Sequence, residues 1–158
     1  MKEKYLAKQR NLSQISIRPE FPKIIKIDTC NICNYHCLFC PNAIQSNKVG
    51  NIDDELCRRI IIDAYGAGAR EICVSSTGEP LLNKKLEEYI RLAKSIGYNY
   101  VFLNTNGYFM TEDRSVSLLE SGVDSIKISV NAGRKSYKIV HGIDAYDKVL
   151  ENVKKSAN

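Results

Sequence analysis

Apolar residues along the chain alternate between short β-branched runs and longer stretches with helical spacing. After a polar leader over residues 1–20, Ile24, Ile25 and Ile27 form a first strand-like run that breaks where a cysteine-rich segment begins. Residues Ile52 to Tyr65 follow helical spacing, with Leu56, Ile60 and Ala64 on one face and Gly66 and Gly68 as the stop. Glu71 to Ser75 reads as a buried strand. Residues 83 to 96 repeat the helix pattern, with Leu86, Tyr89, Ile90 and Ala93 inward and Gly97 at the end. Asn99 to Asn104 is a third strand, and Thr111 offers an N-cap to a helix closing at Leu118, Leu119 and Gly122. Ser125 to Val130 is a fourth strand, and Tyr146, Val149, Leu150 and Val153 mark a last amphipathic helix.

Four strand-then-helix units in succession predict an α/β fold: a parallel sheet with helices on one face, joined by right-handed crossovers. No linker or low-complexity tract interrupts residues 21–158, which read as one domain. The polar turn residues share an address. The cysteine segment follows strand one, Thr77-Gly78-Glu79-Pro80 follows strand two, and Thr105-Asn106-Gly107 follows strand three, while Ser129 and Asn131 close strand four. Parallel α/β folds place their sites at these carboxyl ends.

Composition narrows the class. Hydrophobic content of 44% and charged content of 26% are those of an ordinary soluble globular domain. No apolar run approaches the roughly 20 residues that span a bilayer, and no apolar stretch of a secretory signal follows the charged N-terminus, so the expected compartment is the cytoplasm. The net charge of +5 is spread among acids, as in Lys84, Lys85, Glu87, Glu88 and Arg91, which reads as solvated helix faces and predicts no nucleic-acid partner.

Of the six cysteines, Cys30, Cys33, Cys37 and Cys40 fall in one short segment. In a cytoplasmic chain with its own core, clustered thiols point to metal or redox work. Cys57 and Cys73 sit in apolar periodic segments and read as small buried hydrophobes. Thiolates are soft ligands that select zinc, copper(I) or iron–sulfur clusters. Spacing leaves these options open, although one short loop is cramped for a closed four-thiolate zinc tetrahedron.

The run Cys33-x3-Cys37-x2-Cys40, with aromatic Phe39 before the last thiol, resembles the cluster loop of the radical S-adenosylmethionine (radical SAM) enzymes. The likeness extends over residues 20–155. Ser76-Thr77-Gly78-Glu79-Pro80-Leu81 is similar to the family's Gly-Gly-Glu-Pro-Leu segment, with Thr77 in place of the first Gly, and Thr105-Asn106-Gly107 and Ser129-Val130-Asn131 match its later strand ends. The resemblance implies a partial TIM-like (βα) barrel of about four units. It also implies a [4Fe–4S] cluster on Cys33, Cys37 and Cys40, with one iron left open to chelate S-adenosylmethionine. Gly78 and Glu79 would then lie at the SAM amino group, Thr105 and Ser129 at its ribose or carboxylate, and Phe39 near its adenine. Cys30 falls where the family often has Thr and is expected to be a non-ligand, as is His36.

By the same resemblance, one electron from a flavodoxin or ferredoxin leads to SAM cleavage and a 5′-deoxyadenosyl radical that takes hydrogen from a substrate. Tyr137 and His141 lie in a segment similar to relatives with peptide-modifying extensions, which makes a peptide or protein side chain a candidate substrate. Neither is assigned as catalytic. Family barrels commonly have six units and half a barrel leaves a sheet edge uncovered, so the resemblance implies a truncated gene product, half of a split enzyme, or a barrel completed by a partner chain. Two alternatives are a catalytically incomplete cluster- or SAM-binding module and a zinc-binding structural domain.

Overall fold

Four short strands lie side by side in sequence order, all parallel: β1 (Ile24–Lys26), β2 (Glu71–Cys73), β3 (Tyr100–Thr105) and β4 (Ser125–Ile128). The computed structural model describes residues 21–44 and 50–156, so the expected polar leader over residues 1–20 lies outside the described residues. Parallel neighbours cannot be joined by a tight turn, and each connection carries a helix. These are α1 (Asp54–Ala67), α2 (Leu86–Ile96) and α3 (Glu112–Glu120), while α4 (Arg134–His141) and α5 (Tyr146–Ser156) follow β4. The expected α/β architecture, a partial barrel of parallel βα units, is the one observed.

The strands are rich in β-branched and aromatic residues, and their two-residue period divides the sheet into two faces. On one face Ile72, Val74, Val101 and Leu103 join Cys57 and Ile61 of α1, Leu86, Ile90 and Ala93 of α2 and Leu118 of α3 in the main core. On the other face Cys73, Tyr100 and Phe102 form a smaller cluster, with the two rings 5.4 Å apart. Cys57 and Cys73 are fully buried, as small hydrophobes would be.

Helix ends follow local chemistry. Asp53 caps α1 by accepting from the Leu56 N–H at 2.9 Å, and Thr111 caps α3 through the Arg114 N–H at 3.3 Å. Gly68 and Gly97 close α1 and α2. Gly66 does not stop α1, which runs through it to Ala67.

Two differences from the sequence pattern have physical reasons. Leu56 is 39% exposed, because α1 docks on the neighbouring residue Cys57 and on Ile61, with Ile60 and Ala64 only at the margin. One residue turns a helix by about 100°, enough to move Leu56 off the buried stripe. Helix α4 was not anticipated. Its two buried residues are Tyr137 and His141, one turn apart, while its apolar Ile139 is 70% exposed, so its buried face is made of rings with polar atoms and not of aliphatic residues.

Substituting Leu103→Ala in the fully buried centre of β3 is expected to cost about 2–5 kcal/mol of unfolding free energy. Ile62→Ala on the exposed side of α1 should stay within about 0.5 kcal/mol, both read by chemical denaturation.

Candidate functional site

The loop after β1 carries Cys33, Cys37 and Cys40 and is fastened along its length. Asn31 N–H donates to Gly50 O at 3.1 Å, and Asn31 Oδ1 accepts from Gly50 N–H at 2.7 Å. Glu79 N–H donates to Ile32 O at 2.8 Å. Further along, His36 N–H donates to His141 O at 3.2 Å and Leu38 N–H to Val140 O at 3.0 Å. The thiols are therefore presented by a backbone bonded to β2's loop on one side and to the end of α4 on the other.

Gly78 lies where two backbones meet. A Cβ there would stand 2.1 Å from Cys30 O and 2.8 Å from Ile32 O, so only glycine lets the loop after β2 pack on the cysteine loop. Cys30 is sealed beneath this contact at 2% exposure, its thiol donating to Glu79 O at 3.3 Å. It faces protein, not the cleft described next.

Glu79 is the polar centre of the site. Its side chain is 2% exposed, and both oxygens are engaged. Oε1 accepts from Thr105 Oγ1 at 2.6 Å and from Leu81 N–H at 3.1 Å, and Oε2 accepts from Asn106 N–H at 2.8 Å. Burial pushes its carboxyl above the ordinary value, while these donors pull it back. The Thr105 hydroxyl, having given its proton to Glu79, accepts from Gly107 N–H at 3.1 Å. Asn106 Nδ2 reaches Asn34 Oδ1 in the cysteine loop at 2.9 Å. Thr77, which stands where the resemblance expects Gly, donates its N–H to Asp28 at 3.2 Å and its hydroxyl to the same carboxylate.

Cys33, Cys37 and Cys40 line one cleft with Thr77, Gly78 and Glu79 after β2, Asn104, Thr105 and Asn106 at the end of β3, and Ser129 and Asn131 after β4. Phe39 stands at its rim, 59% exposed, with its ring centroid 5.9 Å from that of His141 in an edge-on arrangement. Every site residue expected from the sequence thus borders the same space, a cleft of about 200 Å³ that opens to solvent. His36 is exposed and outside this cleft.

Sequence reasoning missed Asp28, Asn34 and the full role of His141. His141 is 1% exposed, with Nδ1 3.2 Å from Cys37 Sγ and Nε2 accepting from Asn131 N–H at 3.4 Å. Burial lowers its pKa below the ordinary histidine value. No periodic signal marks a polar residue buried against a loop about a hundred positions away.

The donor set fits an iron–sulfur group. Burial raises the Cys33 pKa, opposed by a Tyr35 N–H and assisted by the charges of Glu79 and Cys40. Burial first, then Cys33 and Cys40, pushes Cys37 up to about 11. Such thiols give up their protons when a cation arrives to balance them. Among the described residues no group of three or more Cys, His, Asp or Glu side chains is gathered to hold a single metal ion. Asn34 Nδ2, beside Cys33, is a buried donor without a partner.

A family model described as the radical SAM superfamily matches residues 27–158, and the chain belongs to that superfamily. Its members use S-adenosylmethionine and a [4Fe–4S] cluster. A probable GTP 3′,8-cyclase of Saccharolobus islandicus is 31% identical over 133 residues, 82% of this chain and 42% of that protein. Its counterpart in Saccharolobus solfataricus is 33% identical over 135 residues, with the same coverage. The chain thus spans about two fifths of the length of the curated relatives it matches.

Among solved structures, BtrN in complex with AdoMet and 2-DOIA superposes with a TM-score of 0.63 at 26% identity, over 74% of this chain and 48% of that one. Streptococcus suis SuiB bound to S-adenosylmethionine gives 0.72 at 18% identity, over 98% and 35%, a likeness of fold. Among the described residues no helix is long and apolar enough to cross a membrane.

The variant Glu79→Gln puts an amide among three N–H and O–H donors, one of which must face another donor. A loss of about 1–3 kcal/mol in unfolding free energy is expected, measured by denaturation beside the isosteric wild type.

Proposed function

We propose that this chain is the N-terminal catalytic module of a radical SAM enzyme, with Cys33, Cys37 and Cys40 as the three ligands of a [4Fe–4S] cluster. The observation that carries the reading is the meeting of these three thiols with the loops after β2, β3 and β4 in one cleft at the carboxyl ends of the strands. When bound, the cluster and S-adenosylmethionine supply reductive cleavage of the sulfonium and a 5′-deoxyadenosyl radical for hydrogen abstraction. The protein's part is to hold, orient and shield.

In this reading the prefastened cysteine loop presents three thiolates without reordering. Gly78 brings its backbone to the cleft wall, and Glu79 fixes the loops around it from below. The Thr105 hydroxyl keeps one lone pair for a ligand, since its proton is already given to Glu79. Ser129 lines the same cleft. Phe39, exposed at the rim, offers an aromatic face for a base to stack on. The domain is assigned to residues 21–158, and the missing barrel wall to further sequence or a partner chain lying against β4. A flavodoxin or ferredoxin is the assigned electron source.

The substrate is left to that missing wall. The relatives named GTP 3′,8-cyclase act on a nucleotide by their name, so they add no weight to the peptide assignment. The pairing of Cys30 with protein carbonyls argues against a four-thiolate zinc site.

Anaerobic reconstitution should load about four irons in the wild type, the number a [4Fe–4S] cluster requires. Ala at Cys33, Cys37 or Cys40 should abolish loading, and Cys30→Ala should keep it. The dithionite-reduced chain is expected to give an EPR signal that changes on adding S-adenosylmethionine. A well-folded chain that takes zinc but no iron, or a Cys30→Ala variant that loses its iron, would overturn the ligand assignment.

A further inference from the structure

His141 is one of two histidines in the chain, and it is held on every side. Its ring packs 4.3 Å from Tyr137, 5.7 Å from Tyr35 and 5.9 Å from Phe39, measured between centroids. Its carbonyl accepts from His36 N–H, and the next residue, Gly142, lies so close to the cysteine loop that a Cβ there would stand 2.8 Å from His36 O. With Gly142 at φ +72, any other residue would be strained as well as crowded. The last turn of α4 is therefore locked onto the cysteine loop, and the ring's position beside Cys37 follows from that lock.

The tautomer follows from its two contacts. A backbone amide can only donate, so the Asn131 N–H, 3.4 Å from Nε2, requires a lone pair on Nε2. The ring proton then sits on Nδ1, 3.2 Å from Cys37 Sγ. A nitrogen that carries a proton and points at a thiol is neither a metal ligand nor a base for substrate. It is a donor to sulfur.

We propose that the His141 Nδ1–H donates a hydrogen bond to the Cys37 sulfur when that sulfur holds the cluster, fixing the ligand's orientation and raising the cluster's reduction potential. This rests on the ligand assignment above. A donor draws electron density from a ligating sulfur and so favours the reduced cluster, and such outer contacts orient the ligand as well. His141 is thus a positioning residue that acts through Cys37. His141 is buried at 1% exposure, so packing against protein holds the donor in place beside the sulfur.

The test uses the reconstituted full chain with its iron content measured. His141→Phe keeps an aromatic ring in the packed position and removes the donor. His141→Asn places an amide N–H close to where Nδ1 stood. The midpoint potential from EPR-monitored titration should shift to more negative values in His141→Phe and return toward wild type in His141→Asn. Independently, the His36→Gln variant, whose only histidine is His141, is grown with ring-15N histidine; the reduced cluster should show hyperfine coupling to a ring nitrogen. An iron-replete His141→Phe protein with an unchanged potential, or a labelled protein without that coupling, overturns the proposal while leaving the ligand assignment standing. Should His141→Phe fail to load iron, the labelled protein decides. A wild type that loads no iron sinks the cluster reading itself.

Discussion

Glu79 lies buried between three loops, each leading from a different strand, and through its carboxylate and its backbone it touches all of them. Its side chain binds Thr105 and Asn106 after β3, its backbone binds Ile32 and Cys30 after β1, and it caps the short 3-10 turn Pro80–Leu82 in its own loop. A buried acid is costly unless its oxygens are satisfied, and three donors within 3.1 Å satisfy this one. The cleft geometry depends on this contact because short parallel strands alone do not fix the loops beyond their ends. With the hub in place, the thiols of one loop and the polar groups of two others are set before any ligand arrives.

Much of the architecture was legible because it rests on periodicity and turn chemistry. Four β-branched runs alternating with helical stripes are enough to give a parallel sheet, and Gly68, Gly97 and Thr111 mark helix ends through local rules. Helix α4 escaped because its buried face is Tyr137 and His141, which form hydrogen bonds as well as packing. Leu56 misled because neighbouring apolar residues leave the docking face of α1 ambiguous by one position.

The candidate site was legible in a different way. The grouping of Cys33, Cys37, Cys40, Gly78, Glu79, Thr105 and Ser129 followed from their common address at strand ends, and they border one cleft. What each side chain does within it was not legible. Gly78 is required by the close approach of Cys30, and Glu79 spends both oxygens inside the protein, facts that depend on distances between segments far apart in sequence. The His141–Cys37 contact is of the same kind.

The sheet's sequential order also bears on how the chain acquires its shape. Ile24 pairs with Glu71, Glu71 with Tyr100, and Phe102 with Ser125, so the first pairing spans more chain than the other two. Closing a longer loop costs more entropy, by about 0.6 kcal/mol for each doubling of its length. The ribbon β2–β3–β4 is therefore cheaper to assemble than the docking of β1 upon it. The cysteine loop lies within the longest of the three connections, so its thiols reach their places with the most entropically expensive closure in the sheet.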